Sequence, residues 1–281
     1  MKVLVTGGSG YLGTHIVEHF GADDLSRRYD RDISDPGQLD DIGEYDAVIH
    51  LAAHLDKSPQ HAAETFRINV DGTINILERI KKGAVFIFAS TKDVYGRFAD
   101  NHLVVPETCQ TLYSGQSALE WSKLIAERYV EFYANQNGFR SCIFRLSTVY
   151  APKSEGNLPN FVGHFAEAIN SGEAIRLPGG GLPKRDLLHV SDMALACESF
   201  IDSVIRHGLY NLGGGRENAL TLSDLIRTME DVSGLQAVID KSDPLPDPVP
   251  LNYVSDLNRI IQELDWKPKT DLSEGLRTLF Q

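Results

Sequence analysis

Gly7, Gly10 and Gly13 stand in the spacing G-x-x-G-x-x-G within VTGGSGYLGTHIVEHF, directly behind the apolar run KVLVT. Glycine at the first position permits a tight turn. At the second it lets backbone approach a pyrophosphate, and at the third it lets a helix pack closely on the sheet. Phosphates would then rest on the free N–H groups of a helix N-terminus. Gly8, Ser9, Tyr11 and Leu12 complete this loop, and the chemistry it implies is dinucleotide binding. At the end of the second strand an acidic residue would hold a ribose 2′-hydroxyl, whereas arginine suits a 2′-phosphate. The segment DLSRR (24–28) offers Arg27 and Arg28 and no well-placed carboxylate before Asp30, which favours NADP over NAD. Asp32 and Ile33 follow, a carboxylate for the adenine amino group and an aliphatic chain for its face. Ser34 or Asp35 is in position to cap the next helix.

Other reactive side chains are less telling. Cys109, Cys142 and Cys197 are scattered outside any metal-ligand spacing and read as buried small side chains in a reducing compartment. His54, His61 and His164 form no ligand spacing either and read as surface or packing residues. No metal site is expected.

The elements that must position this chemistry are legible as short apolar runs alternating with helical stretches. KVLVT (2–6), YDAVIHLAA (45–53), AVFIFAS (84–90) and SCIFRLS (141–147) are continuously apolar, as strands buried on both faces of a parallel sheet are. Helices are expected at 11–20, 58–81 and 115–136, with only a stub for the second strand. After Tyr150 glycine and proline become frequent, in APKSEGNLPN and LPGGGLPKRD, and helices are expected near 158–171, 190–206, 220–232 and 271–279. The reading is an α/β chain: a doubly wound parallel sheet over 1–151 and 186–212, and a small C-terminal α+β lobe from 152–185 and 213–281. A ligand cleft is expected between them.

The chain has 281 residues, 42% of them hydrophobic, and a formal net charge of -12. That is enough to bury one large core or two modest ones. The acidic balance, with no dense basic patch, argues against nucleic acid or an anionic membrane as the main partner. No apolar run is long enough to cross a bilayer and no signal peptide is apparent, so a soluble cytoplasmic protein is expected.

With these pieces in order, the chain resembles the extended short-chain dehydrogenase/reductase family, the NAD-dependent epimerases, dehydratases and reductases of nucleotide sugars. TGGSGYLG resembles the cofactor loop, VIHLAA (48–53) the third strand, NVDGTINILE (69–78) the central helix and ASTKDVYG (89–96) the serine/threonine strand. FRLSTVYAP (144–152), KRDLLHVSDMA (184–194), YNLGGG (210–215) and LDWKP (264–268) continue the match. The short second strand is closest in outline to dTDP-4-dehydrorhamnose reductase-like members. The resemblance implies a Rossmann domain with a small substrate domain and a homodimer built through helices 58–81 and 115–136. It also implies Leu51, Ala52 and Ala53 on the nicotinamide side, Asn69 in the central helix, Thr91 in the place of the catalytic serine or threonine, and Lys123 on the nicotinamide ribose.

One departure stands out. The family places a tyrosine four residues before that lysine, on the same helical face, where the ammonium lowers the phenol pKa so that it can move a proton. Here that position is Leu119, in SALEWSKLIAERYV. Replacements for the lost proton carrier are Tyr113 in the loop before the helix, Glu120 three residues before Lys123, or a water held by Thr91 and Lys123. The family's substrate-clamping arginine is also missing from SDPLPDPVPLNYVSD (242–256), which leaves Asn157 and Arg185 as substrate contacts. Two readings stay open: an NAD(P)-dependent enzyme acting on a sugar or nucleotide sugar through a keto intermediate, and a dinucleotide-binding protein without catalysis.

Overall fold

The computed structural model describes residues 1–154, 157–240 and 250–281. Strands and helices alternate through the first half: β1 (Val3–Thr6), α1 (Gly13–Phe20), β2 (Asp23–Leu25), β3 (Ala47–His50), α2 (Ala62–Phe66), α3 (Gly72–Leu77), β4 (Val85–Thr91), α4 (Ala118–Asn137) and β5 (Arg140–Leu146). A π-helical turn, Arg67–Asp71, joins α2 to α3. The second half adds β6 (Thr148–Tyr150), α5 (Phe161–Ser171), β7 (Ala174–Ile175), β8 (Lys184–His189), α6 (Val190–Asp202), β9 (His207–Leu212) and β10 (Ala219–Thr221). It closes with α7 (Leu222–Ser233), β11 (Val238–Ile239), β12 (Asn252–Tyr253), α8 (Asn258–Leu264) and α9 (Leu272–Arg277).

Six strands form one parallel sheet in the order β2-β1-β3-β4-β5-β9. Side chains alternate across it. Val3, Val5, Ile87, Cys142 and Phe144 join the core beneath α1 and α6, with Ile16, Met193 and Phe200. Leu4, Val48, Phe86, Phe88 and Ile143 join the core on the other face, with Ile76, Leu77, Ala126 and Val130 of α3 and α4. This period of two feeding two cores is what makes the strands apolar throughout and puts helices on both faces.

β2 is short because Asp23 and Asp24 cannot be buried as a core strand demands; only Leu25 is sealed. No α-helix follows it. Three 3₁₀ turns fill the crossover, and Asp35, one of the two expected caps, accepts a bond from the Gly37 N–H of the middle turn. The helix expected over 58–81 is split by its π turn, and α8 had no counterpart in the sequence reading.

The small lobe has its own sheet, β10-β8-β12 with β6 also on β8, and its own core of Val162, Phe165, Leu222, Leu225, Met229 and Leu276. The expected domain boundary at residue 186 falls inside β8, all of whose strand partners lie in this small sheet. No helix among the described residues is long and apolar enough to cross a membrane.

Candidate active site

A cavity of about 610 Å³ opens at the carboxyl ends of β1, β3, β4 and β5, and is also lined by Asn157 and Asn160 of the small lobe. This is where ligands bind in an open α/β sheet. The glycine loop forms one wall, and each glycine has its own steric reason. Gly7 has φ 72°, and a Cβ there would lie 2.8 Å from the Ala52 backbone. A Cβ on Gly13 would lie 2.1 Å from the Gly7 carbonyl, so only glycine lets α1 start this close to the loop. Gly10 differs: its Cβ would meet only the Gly7 carbonyl at 3.1 Å, and the residue lines the cavity. The space in front of Gly10 is a cradle that a larger side chain would fill, so the loop fits a dinucleotide pyrophosphate. Ser9, Tyr11, Leu12, Leu51, Ala52 and Ala53 line the same cavity. Gly8 does not. It is pressed against Asp24 and Val17, behind the wall.

The far end is lined by Ser26, Arg27, Arg31, Asp32 and Ile33. Of the two expected arginines, only Arg27 reaches the cavity; Arg28 lies outside it, with its charge near Asp24. Arg31 is engaged by Asp41 and by the Gln38 carbonyl at 3.0 Å. Burial opposes ionisation of Asp32. Two bonds from Ser34, each 2.8 Å, together with the charges of Arg27 and Arg67 outweigh it and hold the carboxyl below its ordinary pKa. Ser26 was missed in the sequence, although the strand register reveals it: the Gly7 N–H donates to Leu25 O, so Ser26 is the first residue past β2.

At the opposite end Thr91, Leu119, Lys123, Ser147 and His54 share the cavity. Thr91 caps the turn after β4 by accepting from the Asp93 N–H at 3.2 Å, which leaves its own proton to donate. Lys123 is buried, donates to the Ala89 carbonyl at 2.8 Å and lies 4.8 Å above the Phe88 ring. Burial pushes its pKa down to about 8, against the partial opposition of Glu127. Glu127 accepts from Ser90 Oγ and pairs with Arg145 (2.7 Å), and Arg145 in turn donates to the Tyr95 hydroxyl at 3.0 Å. This sealed polar network is the floor beneath the β4 end of the cavity.

Several expected contacts lie elsewhere. Tyr113 does not reach the cavity; it is 70% exposed and its ring stacks on Trp121, 6.5 Å between centroids. Glu120 is buried but turned away from the cavity. It accepts from the Ser117 N–H (2.7 Å) and hydroxyl, closing a capping box on α4, and pairs with Lys57 at 2.7 Å. The S-x-x-E signature in SALE carried that signal. Asn69 is 1% exposed and holds protein groups rather than a cofactor: it brackets the His54 backbone and donates to Ser122 Oγ. Arg185 is no substrate contact in this structure, because its guanidinium is buried against the carbonyls of Lys184, Pro250 and Leu251. Asn157 does line the cavity, beside a bond to Ser154. Residues 242–249 of the segment without an arginine lie outside the described residues.

Ser147 and Asn160 are cavity residues that sequence reasoning did not single out, and His54, expected as a surface or packing residue, lines the cavity as well. Asn160 carried a readable signal, since asparagine caps α5 by accepting from the Val162 and Gly163 N–H groups. No group of three or more histidine, cysteine or acidic residues among those described could hold a metal ion.

Comparison with known proteins agrees with this geometry. The profile of the NAD dependent epimerase/dehydratase family matches residues 3–213. A dTDP-glucose 4,6-dehydratase of Mycobacterium tuberculosis is 30% identical over 312 residues, covering 99% of this chain and 92% of its own. A CDP-paratose 2-epimerase of Salmonella typhi is 27% identical over 333 residues, covering 100% and 98%. Among solved structures, the UDP-glucose 4-epimerase of Thermotoga maritima with UDP-glucose superposes with a TM-score of 0.85 at 25% identity, covering 100% of this chain and 97% of that one. MoeE5 in complex with UDP-glucuronic acid and NAD shares the fold, with a TM-score of 0.85 at 24% identity over 99% and 97%. A profile match over most of the chain, relatives aligned end to end and a glycine cradle in the right place lead to one conclusion: the chain belongs to the NAD-dependent epimerase/dehydratase family.

Proposed function

We propose that this protein modifies a sugar or nucleotide sugar through a keto intermediate, using NAD(P), with a proton carrier other than a tyrosine. The observation that carries this reading is the continuity of one cavity from the glycine loop, past Thr91 and Lys123, to Asn157 and Asn160 of the small lobe. The relatives named above are nucleotide-sugar epimerases and dehydratases, which supports a substrate of that class. When bound, the nicotinamide would take or return a hydride. Gly7, Gly10 and the start of α1 would hold its pyrophosphate, Lys123 its ribose, and Asp32 and Ile33 the adenine. Thr91 would donate to the reacting sugar oxygen. Arg27, at the cavity edge beside Ser26, favours NADP, because a 2′-phosphate there would meet a guanidinium and a hydroxyl and no cavity-lining carboxylate before Asp32.

A homodimer is part of the proposal. Trp121, Ile125, Tyr129 and Phe132 follow one another at helical spacing on α4, and Tyr129 and Phe132 are exposed. A monomer mass at micromolar concentration would count against it.

A second reading has one observation in its favour. Leu119 is sealed to 7% exposure and lines the cavity, a position where no proton can be moved. On that reading the protein binds a dinucleotide and does no chemistry. Incubation with UDP-, dTDP- and CDP-linked sugars and either dinucleotide, following reduced-cofactor absorbance and sugar products, separates the two. Turnover of any of them supports the enzyme; tight cofactor binding with no product across the panel supports the inactive binder.

A further inference from the structure

The geometry points to His54 as the group that moves the proton in place of the tyrosine absent at residue 119, an inference that rests on the enzymatic reading above. Thr91 keeps a hydroxyl proton to donate but is no base at neutral pH, and Tyr11, Ser147, Lys123 and Asp32 on the cavity wall are engaged elsewhere. The Tyr11 hydroxyl donates to Ala151 O at 2.9 Å and accepts from the Ala151 N–H at 2.8 Å, so both of its roles are filled. Ser147 donates into Asp186. Lys123 is tied to the Ala89 carbonyl, and Asp32 lies at the adenine end among Arg27 and Ser34.

His54 is held on both sides. Its N–H donates to Asn69 Oδ1 at 2.7 Å and its carbonyl accepts from Asn69 Nδ2 at 3.0 Å. The same amide donates to Ser122 Oγ at 2.9 Å, and Ser122 Oγ donates to the Leu119 carbonyl at 2.8 Å. Three hydrogen-bonded residues therefore fix the His54 backbone to the turn of α4 that lost its tyrosine. Asn69 sits in the π turn, a local deviation of the kind found at functional sites.

The ring is oriented as well. Nδ1 lies 2.9 Å from Thr65 Oγ1. That hydroxyl already gives its proton to the carbonyls of His61 (3.0 Å) and Asp56 (3.4 Å), so it accepts from His54. The network assigns the proton to Nδ1 and leaves the Nε2 lone pair without a protein partner among the described residues. In the oxidative direction Nε2 takes the proton of the sugar hydroxyl and the O–H electron pair becomes the second bond of the carbonyl; an oxidised nicotinamide, when bound, would accept the carbon-bound hydride. In reduction the imidazolium returns that proton to the oxygen. Thr65 and Asn69 are positioning residues for this step.

The test uses the full chain, the nucleotide-sugar panel above and both dinucleotides. His54→Gln keeps the backbone clasp of Asn69; it is expected to bind cofactor as the wild type does while kcat falls about 10²–10⁴-fold, the usual contribution of one acid–base group. Added imidazole should restore part of the activity of His54→Ala. Ring ¹⁵N shifts of the unliganded wild type should show the Nδ1–H tautomer, and Thr65→Val should mix the tautomers and lower kcat with little change in KM. An active wild type whose His54→Gln variant turns over equally well, or loses cofactor binding along with turnover, overturns the role of His54 and leaves the enzymatic reading standing. A ring protonated on Nε2 also overturns it. A wild type that binds cofactor and turns over nothing defeats both.

Discussion

The two ends of the cavity are built by different physics. At the pyrophosphate end, shape is set by the absence of side chains: Gly7 and Gly13 stand where any Cβ would strike backbone within 3 Å. At the sugar end, shape is set by buried polar groups holding one another, from Ser90 through Glu127 and Arg145 to Tyr95, with Lys123 sealed beside them. Steric exclusion tolerates no drift, because backbone atoms cannot yield. A hydrogen-bonded network can be rewired when one member changes, provided the remaining donors and acceptors find partners. The glycine loop therefore keeps its pattern whole, while the tyrosine position four residues before Lys123 holds leucine.

That contrast can be attacked directly. The largest effect is expected at the sugar-end floor. Arg145→Met leaves the Glu127 carboxylate buried without its partner, and stability should drop by about 3–5 kcal/mol in a denaturant melt. A drop under 1 kcal/mol would show that the network is not what holds this end together. At the glycine end the expected loss is of binding alone. Gly10→Val projects into the cavity and touches little of the fold, so dinucleotide affinity should fall at least about 100-fold by calorimetry with the melting temperature nearly unchanged. Undiminished affinity would sink the pyrophosphate assignment.

Smaller effects sharpen the comparison. Arg27→Ala should weaken NADP about tenfold, the scale of one charge-assisted contact, and leave NAD untouched; Arg28→Ala should change neither. Equal behaviour of the two variants would make Arg27 a bystander. The smallest effect is expected from Leu119→Tyr. If the sugar end has been rebuilt around another carrier, a phenol beside Lys123 crowds the cavity and turnover on the nucleotide-sugar panel does not rise. A rise of about 100-fold, the contribution of a restored acid–base group, would mark a simple loss instead.

A pH effect follows from the sheet between the two ends. Burial pushes His50, at the end of β3, down to about 3, so the folded protein keeps it neutral while the unfolded chain binds a proton below about 6.5. The unfolded state then holds more protons, and stability should fall as pH drops from about 6.5 toward 3, by up to about 1.4 kcal/mol per pH unit from this group. His50→Phe, if it folds, should flatten that slope.

Much of the fold was readable because it depends on local periodicity. The four apolar runs became β1, β3, β4 and β5, each within two or three residues of its expected ends. The π turn at Arg67–Asp71, the missing helix after β2 and the placement of β8 in the small sheet were not readable, since each is settled by partners distant in sequence. In the site, Thr91, Lys123, Leu119 and most of the glycine loop line the cavity where expected. Tyr113 and Glu120 do not, because a stacked Trp121 and a capping box with Lys57 captured them first.

By itself the sequence determined the sheet, the glycine cradle and the family, because these rest on spacing along one strand or one turn. It also determined that position 119 has no proton to offer. What would stand in for that proton, on the enzymatic reading we propose, depends on which side chains end up on one cavity wall and which of their atoms are left without partners. His54 lies 65 residues from Leu119 in the chain, yet Asn69 and Ser122 tie the two together. No local pattern encodes such a link; only the packing of the π turn against α4 brings its members within hydrogen-bond reach.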